Sequence, residues 1–142
     1  MTVQESLGKI LVCDDETEVR DLICKLLKRN GYDVVQAENG VEALKLLECT
    51  TVDAIVSDLS MPEMDGLTFV QEVRDRLNPL PIAILTGHPS KRKAIGSMRL
   101  GVIDFLDKSD SPSGLEQALV RLARKGAQFA LAKRISSSRY KY

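Results

Sequence analysis

Residues 9–31 read KILVCDDETEVRDLICKLLKRNG, a short apolar run joined through two aspartates to a longer amphipathic segment. Lys9–Cys13 has the composition of a buried strand. The following segment, Glu16–Asn30, carries apolar side chains at helical spacing, at Val19, Leu22, Ile23, Leu26 and Leu27. Asn30-Gly31 is a typical helix stop. The segment therefore predicts a strand followed by a helix, with two carboxylates at their junction.

The same alternation continues along the chain. Further strands are predicted at Asp33–Ala37, Ala54–Ser57, Ile82–Leu85 and Phe105–Leu106. Further helices are predicted at Gly40–Cys49, at Leu67–Leu77, at about Ser90–Leu100, and from Ser113 to about Lys133. Strands that alternate with helices over short connections indicate an α/β fold, in which helices cover both faces of a parallel sheet. The strands are apolar throughout, as central parallel strands tend to be.

Composition is ordinary for one globular domain: 142 residues, 44% hydrophobic and 28% charged. No apolar run is long enough to span a bilayer, and the N-terminus lacks the pattern of a secretory signal, so we expect a cytoplasmic protein. The three cysteines (Cys13, Cys24 and Cys49) lie in apolar or helical contexts, which predicts reduced, buried thiols. His88 is the only histidine, which disfavours a zinc site.

Charge is divided unevenly along the chain. Residues 1–116 hold all 20 acidic and 13 basic groups, a net charge of −7, whereas residues 117–142 hold seven basic groups and no acid. Such a tail could contact nucleic acid or a membrane surface. The charges are spread out and lack a groove-reading motif, which favours a solvated helix end. We expect a folded domain over residues 8–125, followed by a helical extension and flexible basic tail over residues 126–142, with Ser136-Ser137-Ser138 as its flexible part.

Polar residues recur at one place, the carboxyl end of a predicted strand. Asp14 and Asp15 follow the first strand, Asp58 the third, Thr86 the fourth and Lys108 the fifth. Ligands of open parallel sheets bind at this edge. Clustered carboxylates need a cation, and Mg²⁺ suits oxygen ligands and phosphate. This pattern predicts a carboxylate nucleophile that attacks phosphorus, with Mg²⁺, the ammonium and the hydroxyl each neutralising one phosphoryl oxygen.

Four segments together resemble the receiver domain of bacterial two-component response regulators. They are Ile10–Glu16, Asp58–Gly66, Leu85–Gly87 and Phe105–Lys108. The resemblance covers roughly residues 8–125. Its specificity lies in the order and spacing, with 43 residues from Asp15 to Asp58, 28 to Thr86 and 22 more to Lys108. One such motif alone would be weak evidence.

The resemblance implies a doubly wound (βα)5 flavodoxin-like fold with a five-stranded parallel sheet in the order 2-1-3-4-5. It implies that Asp58 accepts a phosphoryl group from a phosphohistidine of a sensor histidine kinase or phosphotransfer protein. It also implies a Mg²⁺ site formed by Asp14, Asp15, Asp58 and the backbone carbonyl of Ser60. Such a domain catalyses only its own phosphorylation and dephosphorylation, and is not otherwise an enzyme.

The resemblance further implies a switch made by Thr86 and Phe105. Thr86 would turn toward the phosphoryl group and Phe105 would follow it, repacking the face of helix 4, strand 5 and helix 5. That face would control an output partner or domain, and it is a candidate homodimer contact.

One position departs from the family pattern, because Ser109 follows Lys108 where the family usually has proline. A cis bond before serine costs about 2.5–4 kcal/mol. The Lys108–Ser109 bond is therefore either trans with a shifted loop or cis under strain, and either state could move the ammonium. Phe105, where tyrosine is common, removes a hydroxyl that could bond to a partner.

Other interpretations stay open at this point. A degenerate receiver could act as a constitutive scaffold, and an aspartate-nucleophile phosphatase could turn Asp58 over. Ser60 disfavours the phosphatase, because such enzymes often place a second acid two residues after the nucleophile. His88 either borders the site or is a solvated loop residue. Lys91-Arg92-Lys93 either begins a solvated helix or contacts an acidic partner.

Overall fold

Five parallel strands form a single sheet in the order β2-β1-β3-β4-β5 in a computed structural model of the chain, which describes residues 5–77, 80–87 and 98–139. The strands are β1 Lys9–Cys13, β2 Asp33–Ala37, β3 Ala54–Asp58, β4 Ile82–Thr86 and β5 Asp104–Asp107. The predicted flavodoxin-like fold and strand order are confirmed. The chain order reverses between β1 and β3, which places the ligand-binding edge of this fold at their carboxyl ends.

Four helices connect or follow the strands in the described residues. They are α1 Thr17–Arg29, α2 Gly40–Cys49, α3 Gly66–Leu77 and the C-terminal helix Pro112–Arg139. The predicted fourth helix falls mostly outside the described residues, and only its end at residues 98–99 is seen to be helical. None of the helices described is both long enough and apolar enough to cross a membrane.

Two apolar layers cover the two faces of the sheet. On one face, strand residues such as Ile10 and Val56 pack with α1 and the C-terminal helix. On the other face, strand residues such as Leu11 and Ile55 pack with α2 and α3. Successive side chains of a strand point to opposite faces, and both faces of this sheet are covered, so neighbouring strand residues such as Ile10 and Leu11 are both apolar. This explains the unbroken apolar runs of the central strands.

The C-terminal helix extends to Arg139, beyond the predicted end near Lys133. Gly126 lies inside this helix and is buried, and a Cβ atom there would lie 2.7 Å from the backbone oxygen of Asp53. The glycine therefore permits a close approach to the start of β3. No proline or glycine follows it, and the helical stretch includes Ser136, which was predicted to be flexible.

The cysteines divide into two kinds. Cys13 and Cys24 are buried, as predicted, and all three thiols are free. The prediction is wrong for Cys49, which is exposed at the last residue of α2. Cys49 lies on the exposed side of this amphipathic helix, whose buried residues are Gly40, Ala43 and Leu44.

Candidate functional site

Four carboxylates meet at the carboxyl ends of β1 and β3. Residues Cys13 and Ser57 are partners in the sheet register, so the aspartates that follow them lie side by side. One ligand oxygen from each of four residues lies within 4.8 Å of the others, in the group Asp14, Asp15, Glu16 and Asp58. Asp15 and Glu16 are exposed, whereas Asp14 and Asp58 are only 1% and 4% exposed. The group is thus buried on one side and open to solvent on the other.

Lys108 joins these carboxylates from the end of β5. Its Nζ lies 3.0 Å from Oδ2 of Asp14, 3.1 Å from Oδ2 of Asp58 and 2.8 Å from Oε1 of Glu16. Its backbone N–H donates to the carbonyl oxygen of Thr86 over 2.8 Å, which ties the loop after β5 to the end of β4. The ammonium is the cation that neutralises part of this acidic group.

The oxygens of Asp14 fit a divalent cation. Oδ1 accepts a hydrogen bond from the N–H of Glu16 over 2.8 Å. Oδ2 is buried and accepts no hydrogen bond from the described residues, because the nearby ammonium of Lys108 contacts it as an ion pair without hydrogen-bond geometry. An unsatisfied buried carboxylate oxygen beside three other acids is the donor set that Mg²⁺ prefers. The residues present therefore fit the ion that the sequence predicts.

Burial and charge shift the titration of the site. Burial, followed by the charge of Asp14, raises the pKa of Asp58 to about 6 despite the opposing effect of Lys108. Burial also raises the pKa of Asp14 above its ordinary value. For Lys108, burial lowers the pKa, but hydrogen bonds to Glu16 and Asp14 outweigh it, so the pKa lies above its usual range. The two buried acids are therefore held in an electrostatically unfavourable arrangement that an added cation would relieve.

The loop after Asp58 is closely packed. The N–H of Ser60 lies 3.3 Å from Oδ1 of Asp58, and the N–H of Gly66 donates to the carbonyl of Leu59 over 2.8 Å. A Cβ atom at Gly66 would lie 2.3 Å from the backbone oxygen of Asp58, so only glycine lets α3 begin this close to the site. Glu63 has a φ of 70°, and the bond from Met64 N–H to the carbonyl of Pro62 closes a tight turn around it.

Thr86 and Phe105 lie on the two strands next to this loop. Asp58 pairs in register with Leu85, so Thr86 is one residue beyond it, and Thr86 is buried at 4% exposure. Phe105 is partly buried and packs with the apolar layer on the side of α2 and α3. Thr86 therefore lies at the same edge of the sheet as Asp58. The part of Thr86 and Phe105 in a switch stays a prediction, as does the metal role of the Ser60 carbonyl.

Asp107 holds the turn after Lys108. Its Oδ1 accepts hydrogen bonds from the N–H of Ser109 over 2.8 Å and from the Ser109 hydroxyl over 2.7 Å. Proline could form neither bond, so this chain fixes the turn by a device that the usual family residue does not offer. His88 and the cluster at residues 91–93 lie outside the described residues.

Two residues of the site were missed by sequence reasoning. Glu16 directly follows the paired aspartates, and that adjacency was the available signal. Arg20 donates to the backbone oxygen of Asp14 over 2.8 Å and is buried. Its signal was a charged residue among the inward positions of α1, beside Ile23 and Cys24.

Comparison with known proteins identifies the family of this chain. The family model described as response regulator receiver domain matches residues 10–120, most of the chain. The chain belongs to this family. As a receiver domain it is 39% identical over 114 residues to the response regulator MprA of Mycobacterium sp. strain KMS, and 38% identical to MprA of Mycobacterium ulcerans. Both matches cover 80% of this chain and 48% of the relative, so the chain spans about half the length of these curated relatives.

Solved receivers have the same fold. The chemotaxis response regulator CheY4 of Vibrio cholerae matches with a TM-score of 0.75 and 33% identity, covering 81% of this chain and 98% of that one. The receiver domain of AraT, a response regulator from Geobacillus stearothermophilus, matches with a TM-score of 0.77 and 34% identity, covering 87% and 98%. The receiver domain described here thus has the same fold as a chemotaxis response regulator and as the receiver domain of a second response regulator.

Proposed function

We propose that this receiver is switched by phosphorylation of Asp58, with a phosphohistidine of a histidine kinase or phosphotransfer protein as donor and with Mg²⁺ bound. The observation that carries the proposal is the placement of Asp58. It is buried at the end of β3, shares one group with three other carboxylates, and lies 3.1 Å from the ammonium of Lys108. Buried like charges are costly unless a cation joins them, and a cation-assisted phosphoryl site supplies that cation.

In the proposed step, a carboxylate oxygen of Asp58 attacks the phosphorus of the phosphohistidine. The new O–P bond forms as the P–N bond breaks, and the electron pair goes to the imidazole nitrogen, which is then protonated by solvent. Lys108 and the hydroxyl of Thr86 contact the transferred oxygens, which carry the developing negative charge.

Asp14, Asp15, Asp58 and the backbone carbonyl of Ser60 would hold Mg²⁺. When bound, the ion neutralises phosphoryl oxygens and favours the ionised form of Asp58. Oδ2 of Asp14 supports this assignment, because it is a buried ligand atom that accepts no hydrogen bond from the described residues and is contacted only by the ammonium of Lys108 as an ion pair.

Phosphorylation would then alter the face formed by the fourth helix, β5 and the C-terminal helix. Thr86 moves toward the phosphoryl group, Phe105 follows, and the repacked face controls an output partner or domain. The same face is the proposed homodimer contact, and the proposed location is the cytoplasm, where histidine kinases present their phosphohistidine. The switch itself needs no chemistry beyond the receiver's own phosphorylation and dephosphorylation.

Intact mass spectrometry tests the proposal. The parent, Asp58→Asn and the control Asp21→Asn, which changes an exposed aspartate of α1, are incubated with Mg²⁺ and acetyl phosphate. We expect one phosphoryl adduct on the parent and on the control, none on Asp58→Asn, and none on any protein when EDTA replaces Mg²⁺.

The alternatives give different results in the same assay. Repeated turnover of general phosphate esters by the parent would indicate an aspartate phosphatase. Absence of an adduct with every donor, including a phosphorylated histidine kinase, would indicate a constitutive scaffold and would refute the proposed switch.

A further inference from the structure

Arg20 is a buried cation next to the site. It lies in the first turns of α1 and is 8% exposed, among the inward-facing residues of that helix. Its Nη1 donates to the backbone oxygen of Asp14 over 2.8 Å, a bond that is itself buried. A hydrogen bond from a charged donor is stronger than one between neutral groups.

The remaining contacts of Arg20 reach the carboxyl end of β2. Its Nε lies 3.3 Å from Oε1 of Gln36, in β2. Its Nη2 lies 3.9 Å from Oε1 of Glu38, whose side chain is 69% exposed, and this is the only carboxylate within ion-pair distance among the described residues. Burying a guanidinium without a close ion pair is unfavourable. A residue that only linked α1 to the sheet would not need this charge.

The contact with Arg20 completes the anchoring of Asp14. The N–H of Asp14 donates to the carbonyl of Ala37 over 3.1 Å, and its carbonyl accepts from Arg20, so both sides of the residue are held. The N–H of Glu16 then closes the turn onto Oδ1 of Asp14 over 2.8 Å. This single turn carries three of the four clustered carboxylates.

We propose that Arg20 is a positioning residue for the divalent-cation site: its guanidinium fixes the carbonyl of Asp14 and so aims the acidic turn at Asp58. The proposal rests on the proposed function, because it assigns Arg20 to the same Mg²⁺ site.

Two variants of Arg20 and one matched control test this role. Arg20→Gln removes the charge and shortens the side chain that carries the donor, whereas Arg20→Lys keeps the charge and a single donor nitrogen. The control Arg29→Gln changes another arginine of α1, which pairs with Glu116 of the C-terminal helix, away from the acidic group. Mg²⁺ affinity is measured by calorimetry, and exchange of the Glu16 amide proton is followed by NMR in EDTA.

The expected pattern separates positioning from general stability. Arg20→Gln raises the Kd for Mg²⁺ by about tenfold and speeds exchange at Glu16 by a similar factor, which is the lower end of what loss of one charge-assisted hydrogen bond predicts. Arg20→Lys recovers part of both effects. Arg29→Gln is less stable than the parent but keeps the parent's Kd and Glu16 exchange rate.

Several results would overturn the inference. One is a folded Arg20→Gln variant whose Kd for Mg²⁺ lies within about twofold of the parent's. A twofold change corresponds to only about 0.4 kcal/mol, which is too little for a positioning role. Another is an equal loss of affinity in Arg29→Gln. If Arg20→Gln does not fold, Arg20→Lys decides by the same criteria.

The two proposals fail separately in this design. A parent that binds no Mg²⁺ refutes the proposed function, and exchange at Glu16 in EDTA then decides alone whether Arg20 orders the turn. A parent that binds Mg²⁺, with Arg20→Gln indistinguishable from it, refutes only the role of Arg20.

Discussion

Replacement of Asp58 by asparagine is expected to stabilise the metal-free protein at neutral pH, although it removes a contact. Burial and the charge of Asp14 raise the pKa of Asp58 from 3.8 to about 6. The folded protein therefore binds this proton more tightly than the unfolded chain does. The stabilisation from the proton is fully present below pH 3.8 and is lost as the pH rises through about 6.

The size of the effect follows from this shift. Each pKa unit corresponds to about 1.36 kcal/mol, so a shift of about two units means that ionised Asp58 destabilises the fold by about 3 kcal/mol above pH 6. Asparagine avoids this penalty, and no separate loss is subtracted for the ion pair with Lys108, because its attraction already lowers the pKa of Asp58 to the value used here. The gain expected at pH 7.5 is therefore about 3 kcal/mol, and it should shrink toward pH 5, where Asp58 of the parent is mostly protonated.

Urea unfolding followed by circular dichroism measures this difference. The parent, Asp58→Asn and the control Asp21→Asn are compared in EDTA at both pH values, and the control is expected to stay within about 0.5 kcal/mol of the parent. The reasoning is refuted if Asp58→Asn is no more stable than the parent at the higher pH. A gain that is the same at both pH values would also refute it, because the effect would then not come from ionisation of Asp58.

Three further changes act on neighbouring parts of the site. Lys108→Met leaves Asp14 and Asp58 without their shared cation, and should lower the free energy of unfolding in EDTA by roughly 2 kcal/mol, with part recovered on adding Mg²⁺ in the same urea titration. Gly66→Ala places a Cβ 2.3 Å from the backbone oxygen of Asp58, and should cost roughly 2–3 kcal/mol in thermal unfolding. Glu63→Gly relieves a φ of 70°, and should stabilise by about 1 kcal/mol in chemical unfolding.

Each of these has its own control or contrary result. Gly87→Ala is matched to Gly66→Ala, because the nearest atom to its Cβ would be Cδ of Lys108 at 4.0 Å, and equal losses in both would contradict the packing argument. A Lys108→Met variant as stable as the parent in EDTA would show that the acids do not need the ammonium. Destabilisation by Glu63→Gly would mean that the turn is not strained at that residue.

Periodicity and strand-end residues predicted most of the fold. The alternation that begins at Lys9–Cys13 and Thr17–Arg29 depends on local spacing, which the chain carries whatever its partners are. The meeting of Asp14 with Asp58 also followed from the sequence, since parallel strands end at one edge of the sheet. The exposure of Cys49 was not predicted, because it depends on which side of α2 packs against the sheet. The length of the C-terminal helix was not predicted either, because it depends on how far the helix continues past the residues that pack on the sheet.

The sequence by itself determined the elements, their order and the residue types at the acidic edge, because these depend on patterns within a few residues and on a familiar spacing of motifs. Only the tertiary structure decided how the charges are paired. Lys108 is 94 residues from Asp14 and 50 from Asp58, and its three contacts depend on strand register and loop packing. The same is true of the raised pKa of Asp58 and of the carbonyl held by Arg20. Burial and distance are properties of the packed chain, and no local pattern encodes them.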